Sequence, residues 1–177
     1  RPYMRGRFIE RYYNLWDSYG EYIKYGEWLA EPRSAQVFMG EKLFVRQTGD
    51  SLIATYDKGN ISNNTLHSIY PLENNSSVSL YYLLGVINSK LLNWYYKIVN
   101  YLEVGKPMAE VKGIYIRKLP IATADRSIME DVENYAKDLM DLCSRRYSIK
   151  QEFLKFIINA YEPKKTSEQL EHFYENS

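Results

Sequence analysis

From Ser79 to Leu102 the apolar residues stop alternating and fall on one helical stripe: Leu80, Leu83, Leu84, Ile87, Leu91, Trp94, Tyr95, Ile98 and Leu102. A period of 3.6 residues held that long predicts a helix of about six turns, whose apolar side must be covered by something else in the fold. Leu84 and Ile87 are the expected centre of the core. Gly85 and Asn88-Ser89 interrupt the helix, the glycine alone costing roughly 1 kcal/mol relative to alanine. The expected reason is packing, since small residues let another backbone come close.

Upstream, the period is two. Gly6 to Tyr13 and Glu21 to Tyr25 carry strand-forming residues, separated by the turn residues Asp17-Ser18-Tyr19-Gly20. Glu27 to Ala30 suits one helical turn before Pro32. Lys42 to Gln47 and Ser51 to Tyr56 flank Thr48-Gly49-Asp50 and predict a hairpin. Thr65 to Tyr70 predicts one more short strand, and Glu73-Asn74-Asn75-Ser76-Ser77 a loop leading into the helix. Strands followed by helices place the chain in the α+β class.

Downstream of Pro120, Ser127-Ile128-Met129-Glu130 fits a capping box. Apolar residues then recur at alternating spacings of four and three: Ile128, Val132, Tyr135, Leu139, Leu142, Ile149, Phe153, Phe156 and Ala160. Such a seam resembles a coiled-coil strip. Arg146 fills its one polar slot and, with Ser148 nearby, suggests a kink or break. The strip either buries itself on its own domain or docks a neighbour. Pro163-Lys164-Lys165 ends it.

Of 177 residues, 45% are apolar and 25% charged, which suits one cored domain. The formal net charge of +1 leaves no global basic field, so any nucleic-acid contact must be a local patch. A single cysteine, Cys143, excludes an internal disulfide framework and fits a reducing, cytoplasmic setting. No apolar run approaches the ~20 residues of a membrane span. The chain opens Arg1-Pro2-Tyr3 without an initiator methionine and is expected to be a piece of something longer. The 18 tyrosines offer base-stacking surface or else reflect the codons of an AT-rich genome.

Catalytic constellations are missing from the sequence. His67 and His172 lack ligand-spaced partners, and Cys143 sits one place from the seam, where a buried small hydrophobe is expected. No phosphate-cradling glycine loop is present. Glu41-Lys42 and Glu152 to Lys155 do not form the acid and lysine cluster of a nuclease.

The order of an apolar helix interrupted by Asn88-Ser89, then a short strand Ile114-Tyr115-Ile116-Arg117-Lys118 running into Leu119-Pro120-Ile121, resembles the C-terminal specificity domain of Taq I-like adenine-specific DNA methyltransferases and type IIG restriction-modification enzymes. A looser similarity extends to the target-recognition domains of type I specificity subunits. Arg5-Gly6-Arg7-Phe8-Ile9-Glu10-Arg11-Tyr12-Tyr13 is similar to the opening of such domains. The resemblance implies a curved, mostly antiparallel sheet around the helix at 79–101, followed by a long C-terminal helix or helix pair. It implies a target-recognition domain at 1–122, a helical region at 123–162 and a tail at 163–177. The partner implied is double-stranded DNA, read without cutting or methylating it. The Asn-Pro-Pro-Tyr motif of these methyltransferases is absent, so S-adenosylmethionine and catalysis are expected in an upstream methyltransferase domain, with no cofactor here.

Recognition chemistry is what the residues offer. Arg5, Arg7 and Arg11 would share one side of a strand, with Glu10 as their acidic neighbour, able to pair with phosphates or fork onto guanine. Arg33, Lys42, Arg46 and Lys58 lie near the hairpin, and Asn63 and Asn64 form a polar loop that either reads adenine or simply makes a turn. Lys106, in the loop after the central helix, is a further phosphate candidate. The competing class is a protein-interaction module using the C-terminal seam.

Overall fold

In the computed structural model, residues 1–16, 20–29, 34, 38–71, 78–107 and 109–161 are described. Arg33, Pro32, most of the turn at 17–20, the loop at 73–77 and the tail from 163 therefore lie outside the described residues. The strands are β1 (Tyr3–Met4), β2 (Ile9–Glu10), β3 (Tyr13–Asn14), β4 (Lys42–Arg46), β5 (Ala54–Asp57), β6 (Ile61–Ser62) and β7 (Leu66–Ile69). The helices are α1 (Leu80–Asn88), α2 (Lys90–Val99), α3 (Gly113–Ile116) and α4 (Arg126–Tyr161). The chain separates into two compact units, Arg1–Met140 and Asp141–Ser177.

The class is α+β, built on a three-stranded antiparallel sheet of order β5-β4-β7. The predicted hairpin is its core: Val45 pairs with Ala54 and Lys42 with Asp57 across β4–β5, around a loop whose Gly49 has φ 128°. On the other edge Val45 pairs with His67 and Arg46 with Leu66. Strand alternation then sorts side chains onto two faces. Leu43, Val45, Ala54 and Tyr56 face one way and join Leu84, Ile87, Leu92 and Tyr96 in the main core. Phe44 faces the other way and joins Met4, Phe8, Ile9 and Leu66. Instead of one continuous curved sheet, the remaining strands form two small ribbons, a β2–β3 hairpin and a parallel β1–β6 pair.

The central helix is not continuous. Ser89 adopts extended geometry (φ −62°, ψ 149°), closes α1 and caps α2 by accepting a hydrogen bond from Leu92 N on its hydroxyl. Buried Asn88 and Asn93 explain why. The Asn88 side chain accepts from Ala54 N at 2.9 Å and donates to Ala54 O at 2.9 Å, standing where a further strand would be. Asn93 accepts from Leu52 N at 2.8 Å and donates to Ile87 O and Ser89 O at 3.1 Å each, pairing the Ile87 carbonyl at the end of α1. An unsatisfied buried backbone group costs about 1–3 kcal/mol, and the two amides supply the acceptors that Ala54 N and Leu52 N need at this buried edge.

The break also rotates the second half of the stripe. α2 buries Leu92, Asn93 and Tyr96, and leaves Leu91, Trp94 and Ile98 more than half exposed. Leu84 and Ile87 are buried as expected. Gly85 has the packing role foreseen for it: a Cβ there would stand 2.9 Å from Val132 Cγ1 and 3.7 Å from Ala136 Cβ, so the glycine sets how closely α1 and α4 cross.

Three local expectations fail. Gly113–Ile116 is a single helical turn rather than a strand, its Tyr115 and Ile116 packing on the main core together with Leu119 and Ile121. Ser127 lies inside α4, and Glu130 pairs with Arg126 at 2.7 Å instead of closing a capping box. α4 runs unbroken through Arg146 and Ser148, whose hydroxyl bonds back to Ser144 O at 3.2 Å. In the first unit α4 buries Met129 and Ala136 while Ile128 and Tyr135 of the seam are exposed. In the second, Leu142, Ile149, Phe153 and Phe156 are exposed. Among the described residues no helix is long and apolar enough to cross a membrane.

Candidate nucleic-acid interface

Arg5, Gly6 and Arg7 do not continue a strand. Gly6–Phe8 is a 3-10 turn directly after β1, and the parallel β1–β6 pairing sets it against the loop that follows β6. Gly6 N donates to Thr65 Oγ1 at 2.9 Å, and a Cβ on Gly6 would lie 3.1 Å from Thr65 O. That close approach is what the glycine permits. It brings Arg5 and Arg7 beside Asn63 and Asn64, nearly sixty residues away in sequence.

An acid that both arginines reach is Glu21. Arg5 Nε lies 2.6 Å from Glu21 Oε2, and Arg7 donates to Glu21 Oε1. Glu21 is held there by the N-terminal strand segment: Tyr3 N donates to Glu21 O at 3.0 Å, and Ile23 N to Arg1 O at 2.9 Å. Arg5 also lies over the Tyr3 ring at 5.3 Å and Arg7 over Phe8 at 5.0 Å. Two guanidinium groups reach one carboxylate from side chains about half exposed.

The Asn63 side-chain oxygen accepts from Thr65 N at 3.2 Å and from the Thr65 hydroxyl, the Asx turn anticipated as its alternative. Asn64 is exposed at the loop tip. Arg46, across from Leu66 at the end of β4, is partly buried, and its Nε has no hydrogen-bond partner among the described residues.

The other candidates lie elsewhere. Lys42 is fully buried: its ammonium pairs with Asp57 at 2.8 Å, donates to Phe38 O at 2.9 Å and sits 5.1 Å from the Phe44 ring centre, out of reach of any phosphate. A strand lysine was read as surface, whereas its register partner is an equally buried acid. Arg11 is turned away from Arg5 and Arg7, toward Leu52 O and Asn93 Oδ1, both at 3.4 Å. Lys58 is exposed in the turn at the opposite end of β4 from Asn63, its ammonium 5.9 Å over Tyr56. Lys106 pairs with Glu103 at 3.4 Å, and Lys112 approaches the same carboxylate at 3.6 Å. Partial desolvation would raise the Glu103 carboxyl, but the Glu110 amide and both lysines outweigh it and hold it below its ordinary value.

Of the ten candidates, Arg5 and Arg7 lie on the segment that docks on the loop carrying Asn63 and Asn64, and Arg46 lies across from Leu66 just beyond that loop. They offer guanidinium forks for phosphate or guanine and amides for adenine. Among the described residues no group of three or more His, Cys, Asp or Glu is placed to hold a metal ion. The sequence reading missed Glu21, because only non-local pairing of the chain start with Glu21–Ile23 brings it near.

The family model of the TaqI-like C-terminal specificity domain matches residues 1–121, which is 121 of 177 residues. No curated protein matches the chain.

Proposed function

The chain belongs to the TaqI-like C-terminal specificity domain family, and on that premise we propose that it is the part of a restriction-modification or phage-defence DNA methyltransferase that reads double-stranded DNA. Specificity domains of this family serve DNA target recognition and are not themselves catalytic. Adenine methylation with S-adenosylmethionine is assigned to a methyltransferase domain upstream in the same cytoplasmic polypeptide, of the Taq I-like or type IIG kind.

The observation that supports this reading best is the meeting of Arg5 and Arg7 with Asn63 and Asn64 across β1–β6. Phosphate contacts would set the register and the loop would read base edges. Glu21 orients both arginines and keeps their field local. The test is selection of duplexes from a randomised pool by the purified chain. We expect enrichment of a short sequence, with binding that weakens with salt at a slope of about −0.9 per phosphate contacted. Arg5→Ala or Arg7→Ala should each flatten that slope by about one and leave the sequence preference intact. Arg11→Ala, whose side chain points to Leu52 and Asn93, should leave the slope unchanged. Absence of enrichment, or an unaltered slope in the Arg5/Arg7 double variant, refutes the assignment.

A second reading, a protein-interaction module, is favoured by one observation, the exposed seam of α4 at Ile128, Tyr135, Leu142, Ile149 and Phe156. Salt-insensitive self-association without enrichment would support it.

A further inference from the structure

β4 ends at Arg46, and the backbone there is fixed from both sides. Arg46 N donates to Ile53 O at 2.9 Å, and Arg46 pairs with Leu66 on the other edge. The next residue is tied twice more, Gln47 N donating to Thr65 O at 3.0 Å and Val111 N to Gln47 O at 2.7 Å. Thr65 links this strand end to the interface: its hydroxyl accepts from Gly6 N, between Arg5 and Arg7, and its amide donates to Asn63 Oδ1. Phe44 and Arg46 stand two apart on β4 and so leave the sheet on the same side. Met4, Phe8, Ile9 and Leu66 pack with Phe44 there, so Arg46 shares a face with the segment that carries Arg5 and Arg7.

The guanidinium held at this place lacks what the other cations have. Its Nε is buried without a hydrogen-bond partner, and among the described residues it is the one atom left so that belongs to a charged group. Buried polar groups are nearly always paired, and buried charges more strictly still. Arg5 and Arg7 reach Glu21, Lys42 reaches Asp57, Lys97 reaches Asp50, Lys106 and Lys112 reach Glu103, and Arg126 reaches Glu130; Arg46 takes part in none of these pairs. A partly desolvated cation on a pinned strand costs stability in the free chain and suits an acceptor that a ligand brings. Burial of Nε also limits the planes its fork can take. Phosphate accepts a guanidinium from many directions, whereas the O6 and N7 of guanine lie in one plane and reward a fork positioned beforehand.

We propose that Arg46 determines one base of the target, forking onto O6 and N7 of a paired guanine while Arg5 and Arg7 hold phosphates nearby. The inference rests on the DNA-binding reading above and adds to it a residue and the base it selects. It requires that the recognised sequence contain a guanine read through the major groove.

The test repeats duplex selection with the whole chain, with Arg46→Met, which keeps an apolar stem and removes the fork, and with Arg46→Lys, which keeps the charge and loses the fork. The unaltered chain should enrich a sequence with a fixed guanine, and both variants should lose the preference at that position while keeping the others. Replacing that guanine by 7-deazaguanine removes N7 and leaves base pairing intact. Fluorescence anisotropy should then show binding weakened by about 5- to 150-fold in the unaltered chain and hardly at all in Arg46→Met. The melting temperature of Arg46→Met should not fall, since no partner is stranded. A lowered melting temperature with an unchanged enriched sequence makes Arg46 structural and overturns the proposal. A salt slope shallower by about one with an unchanged sequence assigns Arg46 to a phosphate and overturns it too. In either case enrichment by the unaltered chain keeps the family reading, whereas absence of any enrichment overturns both.

Discussion

Asn88→Ala should be among the most damaging single changes in this protein, although it removes only a small polar side chain. The Asn88 amide makes two hydrogen bonds to Ala54 on the outer edge of β5, both at 2.9 Å, and both residues are buried. Alanine would leave Ala54 N without an acceptor beneath α1, a penalty of about 1–3 kcal/mol for a buried donor. Ala54 O would fare better, because it also accepts from Tyr12 N at 3.0 Å. Its loss is one net hydrogen bond, about 1 kcal/mol. The sum is roughly 2–4 kcal/mol, and at about 2–4 °C per kcal/mol for a chain of this size the melting temperature should fall by about 4–16 °C. Asn88→Asp separates the two contributions, since a carboxylate keeps an acceptor for Ala54 N but cannot donate to Ala54 O and places a charge in the core. It should therefore destabilise the chain as well. Thermal melts followed by circular dichroism, with urea titration as a check on the slope, measure both variants. A shift under about 2 °C for Asn88→Ala would refute the claim that the helix break exists to hold this edge.

Gly85→Val should cost about 1–3 kcal/mol by overpacking, because its Cβ meets Val132 at 2.9 Å, and Val132→Ala should recover part of that in the double variant. Lys42→Met should cost about 3–5 kcal/mol by stranding Asp57, and should leave sequence preference on DNA unchanged; a changed preference would mean that Lys42 takes part in binding. Acid should weaken the fold through Asp50 and Glu103. The Ser51 hydroxyl and then Lys97 hold Asp50 below its ordinary 3.8 against partial desolvation, and Glu103 is held below 4.5. Because both folded-state values are depressed, their contribution is complete above those ordinary values and is lost as pH falls through the folded ones. Melting temperature against pH in Asp50→Asn should accordingly decline less steeply below about pH 4 than in the parent.

What could be read along the chain was what is local along the chain. The β4–β5 hairpin, its Gly49 loop and the burial of Leu84 and Ile87 follow from alternation, turn chemistry and period, all contained within a few residues. The helix break carried its own signal in Asn88-Ser89. The stripe from Leu91 to Ile98 hid it, because an apolar periodicity says nothing about which face finds a partner. Docking of Asn88 and Asn93 on β5 decided that instead, and turned those apolar residues outward. Lys42 shows the same limit in charge. A lysine in a strand reads as surface until the register puts Asp57 across from it.

The candidate interface was legible as residue types and not as a place. Arg5 and Arg7 meet Asn63 and Asn64 only through β1–β6, and their acid Glu21 reaches them through pairing of the chain start with a third segment. The two parts also differ in how they tolerate change. Asn88 and Asn93 are buried and bonded to backbone, so altering them should act on folding whatever DNA is bound. Asn64 is exposed and supports no core residue, so altering it should act on base preference while the fold persists. Measuring melting temperature and sequence enrichment on the same variants tests this division, and a change of enriched sequence in Asn88→Ala at temperatures where that variant stays folded would dissolve it.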